Sequence, residues 1–141
     1  MSNNPFFSDT AVIADVNALT ALLNSGTLLV YTGSQPTDAN TAIGAQTLLV
    51  TLTFGGTAFA TAVASGSAGS KVVTATANAI GSATAVATGT ATWFRCLKSD
   101  ASTIGLDGSV GTSGADLNFS TVAFTSGALV SVSSFTITQT E

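Results

Sequence analysis

The decisive stretch of this chain is GTATWFRCLK at residues 89–98. It contains the only tryptophan, arginine and cysteine of the sequence, Trp93, Arg95 and Cys96. Because successive side chains of a strand point to opposite faces, Trp93 and Arg95 share one face while Phe94 and Cys96 share the other. Both faces are largely apolar, which predicts a central strand of a sheet. Arg95 is expected at the solvent-exposed edge of its face.

The rest of the chain is poor in charge. Charged residues make up 7% of the 141 residues, against about 25% in an ordinary soluble domain. Threonine, alanine, serine and glycine take their place, and the small ones among them lose little rotamer freedom at a contact, whereas Lys or Glu loses about 1.5–2 kcal/mol. This composition favours a protein that functions in contact with other proteins. A secreted, adhesin-like β-domain is the alternative.

Several classes of partner and location are disfavoured by the same composition. The net charge is −4 and the basic residues number three, too few to neutralise the phosphates of a nucleic acid. No apolar run approaches the roughly 20 residues of a membrane span, and the first residues lack the basic and apolar regions of a signal peptide. A single cysteine cannot form an internal disulfide. Because Cys96 lies in an apolar strand between Phe94 and Leu97, it is expected to be a packed, unreactive side chain.

The chain is predicted to have an arm at residues 1–8 and a single β-domain at residues 9–141, which opens with a helix over residues 9–24. Ser8 or Asp9 is a suitable N-cap, and Gly26 is expected to end the helix in the left-handed conformation. Apolar residues repeat at the 3.6-residue period of a helix. They are Val12, Ile13, Val16, Leu19, Leu22 and Leu23.

After the helix the pattern changes to about eight short strands separated by Gly- and Ser-rich turns. The predicted strands are Thr27–Thr32, Thr47–Phe54, Lys71–Ala77, Ala83–Thr88, Thr90–Lys98, Thr103–Val110, Asp116–Phe124 and Leu129–Gln139. The fold class is therefore mainly β, an antiparallel β-sandwich or a jelly-roll-like barrel with one N-terminal amphipathic helix. Asp107-Gly108 is expected to form a tight turn or a bulge within its strand.

Two strands have apolar patterns that assign their core faces. In the second strand, Leu48, Val50, Leu52 and Phe54 alternate toward the core, which leaves Leu49 on the other face. In the last strand, Val130 and Val132 have one parity, and Phe135 and Ile137 have the opposite one. A single β-bulge near Ser133-Ser134 would bring all four onto the core face.

No catalytic, cofactor-binding or metal-binding residue is predicted, and the chain is not expected to be an enzyme. Histidine is absent, so a histidine base is excluded. Asp100, Asp107 and Asp116 lie in loops or at strand ends, where aspartates usually bond nearby backbone amides. A carboxylate pair for acid–base chemistry and a calcium site at Asp107 and Asp116 are the alternatives.

Aromatic residues at two places have different expected roles. Pro5, Phe6 and Phe7 precede the helix, and two adjacent phenyl rings cannot both face one small core. One of them is expected to pack on the start of the helix and the other to meet a partner. Trp93, Phe94, Leu117 and Phe119 are predicted to anchor the core.

Five further segments, taken together with the helix, carry a resemblance. They are GTLLVYTGSQP at 26–36, TLLVTL at 47–52, GTATWFR at 89–95, GSVGTSGADL at 108–117 and the Ser/Val/Thr-rich strand at 131–139. In this order they resemble a family of small virion structural proteins of tailed bacteriophages. The similarity covers most of the chain from about residue 9 onward, and the Ala/Thr-rich middle and the Phe6-Phe7 pair depart from it.

This resemblance implies a head or tail structural component, placed in a virion that is assembled in the host cytoplasm. A capsid decoration or cement protein is the first expectation, bound to the major capsid protein and to copies of itself as a trimer at local three-fold positions. A tail or neck component is the second. A carbohydrate- or host-surface-binding module, with Tyr31, Trp93 or a phenylalanine stacked on sugars, is the alternative from another class.

Overall fold

A computed structural model describes residues 5–140 of the chain. Residues 1–4 of the predicted arm, and residue 141, lie outside the described residues. The described part is mainly β with one helix near its N-terminus, as predicted. Its elements are α1 (Asp9–Ala21), β1 (Thr27–Thr32), β2 (Thr47–Thr53), β3 (Val63–Ser65), β4 (Val72–Thr76), β5 (Ala83–Thr84), β6 (Gly89–Thr90), β7 (Trp93–Leu97), β8 (Ile104–Gly111), β9 (Leu117–Phe119), β10 (Ala123–Phe124), β11 (Leu129–Val130) and β12 (Val132–Thr140).

Eight of the strands form one sheet in the order β2-β1-β7-β8-β9-β12-β4-β3. β12 lies in its interior and pairs with β9 on one side and β4 on the other. It therefore joins a half built from β1, β2, β7, β8 and β9 to a half built from β3 and β4. The expectation of a purely antiparallel sheet is wrong at one pairing, because β8 and β9 run parallel through Val110↔Leu117 and Gly111↔Asn118.

The four shortest strands form a separate two-stranded ribbon. β5 pairs with β11 through Thr84↔Leu129, and β6 pairs with β10 through Thr90↔Ala123. Both pairings follow the same register, so residues 83–90 and 123–130 are one antiparallel ribbon with an interruption in its middle; we call these two segments the ribbon. The predicted strand Ala83–Thr88 is thus broken, in a segment whose alanines provide little cross-strand packing.

The start of α1 is as predicted. Ser8 has an extended backbone, and its Oγ accepts a hydrogen bond from the Ala11 N–H at 3.2 Å, which makes it the N-cap. Val12, Val16 and Thr20 form the buried row of the helix. These residues are four apart, so one face of the helix packs on the sheet.

The end of α1 differs from the prediction. The helix ends at Ala21, and Leu22 is 45% exposed instead of joining the apolar stripe. The left-handed residue is Ser25, with φ 56°, and not Gly26. Gly26 is needed for another reason: a Cβ there would lie 2.2 Å from the Leu97 carbonyl oxygen, so only glycine lets the two backbones approach.

Two asparagines of this region cover the backbone that leads into β3. Asn17 Oδ1 accepts the Ala62 N–H at 2.8 Å, and Asn24 Oδ1 accepts the Ala58 N–H at 2.9 Å. Both alanines are buried, so the two side chains satisfy backbone donors that have no strand partner. These bonds tie the segment before β3 to the helix and to the turn that follows it.

A group of phenylalanine rings occupies the centre of the core. Phe135 contacts three of them, with ring centroids 5.0 Å from Phe94, 5.1 Å from Phe59 and 6.1 Å from Phe54. The position of Phe135 depends on the bulge predicted in the last strand. The β9–β12 register shifts between Val132 and Ser134, which confirms that bulge. Phe135 is buried as a result, and Val132 packs against the same core.

A second bulge, which the sequence pattern did not predict, lies in β2. Val30 pairs with Val50 while Tyr31 pairs with Leu48, so Leu49 is an extra residue. The strict alternation expected for β2 is therefore wrong at this point, and Leu49 is fully buried. Its carbonyl oxygen accepts the Val86 N–H at 2.8 Å, which fastens the ribbon to the edge of β2.

Candidate functional site

The most exposed aromatic side chains lie in Pro5–Phe7, within the predicted arm of residues 1–8. The structure describes these three residues, and we call them the arm. Phe6 is 90% exposed and Phe7 is 62% exposed. Burying a phenylalanine side chain is worth about 1.5–3 kcal/mol, and neither ring gains that stabilisation in full within the described chain. The arm is fixed at its C-terminal end by the Ser8 cap of α1. The arm therefore leaves the domain at the start of α1.

A groove of about 550 Å³ runs beside the arm. It lies between the first turns of α1 and the end of β12, and Phe7 contributes to its wall. Its other lining residues are Pro5, Ala11, Val12, Asp15, Gln139 and Thr140. Close by, Lys71 Nζ donates to Asp9 Oδ1 at 2.7 Å and to Oδ2 at 2.9 Å, which ties the helix start to the chain that enters β4. Because the pair is partly exposed, it adds little to the free energy of unfolding, and its main effect is to position the start of the helix.

The other large group of polar and aromatic side chains is buried. Trp93 stacks on Tyr31 with ring centroids 4.7 Å apart and an interplanar angle of 14°. The Arg95 guanidinium carbon lies 5.6 Å from the Trp93 ring centroid, which is within the range of a cation–π interaction. The three residues are 1%, 6% and 3% exposed in the order Trp93, Tyr31, Arg95. They stand on the face of β1 and β7 opposite the phenylalanine core, and we call them, together with Asp107, the polar column.

Arg95 forms a two-bonded ion pair with Asp107. Arg95 Nε donates to Asp107 Oδ1 and Nη2 donates to Oδ2, each at 2.7 Å. The two side chains are only 4% and 3% exposed. The side-chain hydrogen bond to Asp107 holds the pKa of Arg95 above its ordinary value, although burial opposes the shift. Burial raises the pKa of Tyr31, with the charge of Arg95 acting in the opposite direction.

Two expectations about this region are wrong for one reason. Arg95 is not at a solvent-exposed edge, and Asp107-Gly108 is not a turn or a bulge, because Asp107 lies in the middle of β8 directly opposite Arg95. The bulge of β8 is at Gly105 instead, where Cys96 pairs with Leu106 and Leu97 pairs with Ile104. A carboxylate directly across the ladder lets the arginine be buried.

The long loop at residues 33–46 leaves β1 next to the polar column. Thr92 Oγ1 donates to the Gly33 carbonyl at 2.6 Å, and Gln46 Nε2 donates to the Ser34 carbonyl at 2.7 Å, so the base of the loop is fixed. Asp38 in this loop is near enough to act electrostatically on Arg95. Trp93 Nε1 is buried and has no hydrogen-bond partner in the described part of the chain.

The predicted core anchors are all buried, on two faces. Phe94, Leu117 and Phe119 belong to the main hydrophobic cluster. Trp93 is as deeply buried as they are but belongs to the polar column. The burial of Trp93 and Tyr31 removes the aromatic platform on which a sugar-binding module was expected to rely.

The three candidate carboxylates are engaged at different places. Asp107 holds Arg95, as above. Asp116 Oδ2 accepts hydrogen bonds from Ser109 N–H at 3.0 Å and Ser109 Oγ at 2.8 Å. Asp100 closes a turn by accepting bonds from Ser102 and Thr103, and these bonds, that of the Thr103 side chain first, lower its pKa to about 2. Within residues 5–140, no three residues of the metal-binding types come together.

Sequence reasoning missed a second exposed apolar site, on the ribbon. Leu129 is 71% exposed and Val86 is 65% exposed. Leu129 pairs with Thr84, and Val86 lies two residues beyond Thr84, in the interruption of the ribbon. In the sequence, this site was indicated only by the alternation of Ala85, which is buried, with Val86, which is exposed. Alanine makes such an alternation a weak signal.

No family model, no curated protein and no solved structure matches this chain. Within the described residues, no helix has the length and apolar character needed to cross a membrane. The surface features of the described residues are the arm with its groove, the exposed apolar residues of the ribbon, and few charges.

Proposed function

We propose that this chain is a structural protein of a bacteriophage virion, and specifically a capsid decoration or cement protein that stabilises the head through protein–protein contacts. The observation that carries the proposal is the arm, because Phe6 and Phe7 are exposed at 90% and 62% on a chain with only 7% charged residues. Exposed aromatic side chains of this kind anchor protein interfaces. The resemblance of the sequence segments to small virion proteins supports the same assignment.

The partners in this proposal are the major capsid protein and further copies of this chain in a trimer. A protein that binds the assembled shell and not its separated subunits stabilises the shell by RT ln(1 + [L]/Kd), about 2.7 kcal/mol per site at a ligand concentration of 100 Kd. The small side chains of the exterior favour such binding, because little rotamer entropy is lost where they become ordered.

The carbohydrate-binding alternative has lost its basis in Tyr31 and Trp93, which are 6% and 1% exposed. Phe6 and Phe7 do not replace them easily, since they lie on a short arm and not on a flat, rigid platform. Contact with protein is the better use of these two rings.

The test uses phage particles that lack the gene for this chain, with purified protein added back. We expect the particles alone to lose DNA at a lower temperature than complete ones, and the wild-type protein to restore the loss temperature. The variant Phe6→Ser/Phe7→Ser should fail to restore it. Leu22→Ser is the matched control, because Leu22 is 45% exposed at the other end of α1. Particles without the protein that are as robust as complete ones would contradict the cementing role.

Copy number separates the head assignment from a tail or neck assignment. Mass spectrometry of separated heads and tails should find this chain in the head fraction at hundreds of copies per particle. A handful of copies confined to the tail fraction would replace the cement proposal by the tail or neck component.

A further inference from the structure

We propose that the last residues of β12 bind an extended segment of a partner protein, which joins the sheet as a further strand and places a Lys or Arg side chain against Asp15. The inference rests on the proposed function for the identity of the partner, a protein of the capsid shell. The binding itself is a property of the purified chain and is testable without a virion.

One side of β12 is only partly covered, because its neighbour β9 is much shorter. β9 pairs with β12 only as far as Phe135, whereas β4 pairs with the other side as far as Thr140. Beyond Phe135, no strand of the described chain lies on the β9 side. We call this side of Thr136–Thr140 the open edge.

The backbone groups of the open edge are directed away from β4. The N–H of Thr136 donates to the Asp116 carbonyl at 3.0 Å, whereas the Phe135 carbonyl accepts the Ala77 N–H at 2.9 Å on the β4 side. Such groups alternate in direction along an antiparallel strand, so the N–H and C=O of Thr138 point the same way as those of Thr136. Thr138 is exposed, and these two groups have no hydrogen-bond partner in residues 5–140.

β9 is short because the chain before it forms a loop. Asp116 Oδ2 accepts hydrogen bonds from the N–H and the Oγ of Ser109. The Asn118 side chain accepts from the Ala115 N–H and donates to the Ala115 carbonyl. These bonds hold residues 112–116 out of the sheet, so the place beside the open edge is left for a different segment.

The open edge lacks the features that keep edge strands from pairing. Those features are charged side chains, proline, a bulge, very short length or a covering element. The open edge reads TITQT, without charge or proline, and its register with β4 is regular. β3, at the end of the same sheet, is protected by its length of three residues. Five residues at the open edge match a strand of ordinary length, about 5–6 residues.

The groove beside the arm borders the open edge and selects the side chains of the added strand. Gln139 and Thr140 line it on the β12 side, and none of its lining residues comes from β4. Phe7 and Val12 give it an apolar wall. Because alternate side chains of a strand share one face, a segment with apolar residues at alternate positions fits this wall.

Asp15 adds a charge requirement. It alone is charged among the described residues that line the groove. It is exposed, and its carboxylate has no ion-pair partner within residues 5–140. A Lys or Arg of the added strand supplies that partner, and complementary charges of this kind give specificity. A second copy is a poor source, because Lys71 and Arg95 are already paired with aspartates and Lys98 is the one basic residue left.

The test is an NMR titration of the isotope-labelled protein with the peptide Val-Thr-Lys-Thr-Val, acetylated and amidated at its ends so that lysine is its single charge. We expect the amide proton signals of Thr138 and Thr140 to move downfield and to saturate at millimolar peptide, because each N–H gains an acceptor. The Gln139 amide faces β4 and should move less. The same peptide with glutamate in place of lysine should bind more weakly.

Two variants separate the backbone contact from the charge. Thr138→Pro removes a donor on the open side only, where an edge strand tolerates proline, and should weaken binding about tenfold through the lost hydrogen bond. Asp15→Lys should reverse the preference, so that the glutamate peptide binds better than the lysine peptide. Asp38→Asn is the matched control for charge, because Asp38 is an exposed aspartate that does not line the groove. Circular dichroism and the unfolding temperature check that each variant is folded.

Four results would overturn the inference. The first is a lack of movement of the Thr138 and Thr140 signals, and the second is equal binding of the two peptides by the wild-type protein. The third is a shift of these signals with protein concentration alone, which would assign the edge to a second copy. The fourth is binding about tenfold tighter after removal of residues 2–4, which would assign the edge to the chain's own N-terminus as a competing occupant.

Failure of this inference and failure of the cement role give different results. Peptide binding by a protein that leaves the heat stability of heads unchanged keeps the open edge as a strand-binding site and rejects the cement role. Full restoration of heads by Thr138→Pro keeps the cement role and rejects the open edge as the contact with the capsid.

Discussion

The two faces of β7 are both buried, but they are stabilised in different ways. Phe94 and Cys96 pack into a cluster of apolar side chains, where burial is non-directional and depends on volume. Trp93 and Arg95 face the other way, into a column held by ring stacking and by two hydrogen bonds to Asp107. The apolar face should tolerate changes that conserve volume. The polar face should tolerate removal of both charges far better than removal of one.

The largest effect is expected from Asp107→Ala. The change leaves the Arg95 guanidinium buried without its partner, and a buried pair broken on one side typically costs about 3–5 kcal/mol. The free energy of unfolding from urea titration measures this loss. Arg95→Met/Asp107→Leu removes both charges and should recover most of it. A double variant as unstable as Asp107→Ala would mean that the two faces do not differ in this way.

The next effect is expected from Gly108→Ala, which tests the apolar face. Gly108 lies opposite Phe94, and a Cβ there would be 2.5 Å from Phe94 Cζ. Overpacking of this kind costs about 1–3 kcal/mol. Phe94→Leu removes the ring atoms that the added methyl group would meet, so the methyl group should cost less stability in that background. If the two changes are simply additive in urea titrations, the steric explanation is wrong.

A smaller effect is expected from Trp93→Phe. The variant keeps an aromatic ring against Tyr31 and removes the indole N–H, a donor that has no partner in the described part of the chain. We expect a loss of about 1 kcal/mol, well below the 3–5 kcal/mol typical of replacing a buried Trp by alanine. In the wild-type protein the Trp93 fluorescence should be blue-shifted and resistant to iodide. Strong quenching by iodide would contradict the burial of the polar face.

The smallest effect belongs to Asp100, which lies in an exposed turn outside both faces. Its folded-state pKa of about 2 is below the ordinary value of about 3.9. A carboxyl with a lowered pKa contributes stability above its unfolded pKa, and that contribution is lost as the pH falls from about 4 to about 2. Asp100→Asn should flatten the stability profile in that window, and carbon NMR should give the low midpoint directly. A midpoint near 4 would show that the turn does not hold the carboxylate.

Local patterns in the sequence predicted much of the fold. The 3.6-residue repeat and the Ser8 cap predicted the helix. The reversal of parity between Val132 and Phe135 predicted the bulge in β12. Both depend on residues close together in the chain. The Leu49 bulge was missed because three apolar residues in a row, Leu48 to Val50, hide any change of alternation.

The polar column was not predicted because its partners lie far apart in the sequence. Arg95 and Asp107 are 12 residues apart, and Asp107-Gly108 has the composition of a turn. Only the β7–β8 register places the two side chains opposite each other. The two adjacent rings of the arm predicted that one of them would be exposed, whereas both are. The ribbon surface depends on a pairing between residues about 45 positions apart.

The interior position of β12 has a consequence for how the protein reaches its native state. β1 and β2 precede β12 by about 80–100 residues, yet the two halves of the sheet meet only through that late strand. Contacts so distant along the chain make folding slow, because the loop-closure entropy is lost before the pairing energy is gained. The edge of β9 can be paired only after β12, which begins 13 residues later in the chain, has been made. An exposed strand edge in an incompletely folded chain is prone to aggregation, so we expect refolding yield to depend on protein concentration more than the native state does.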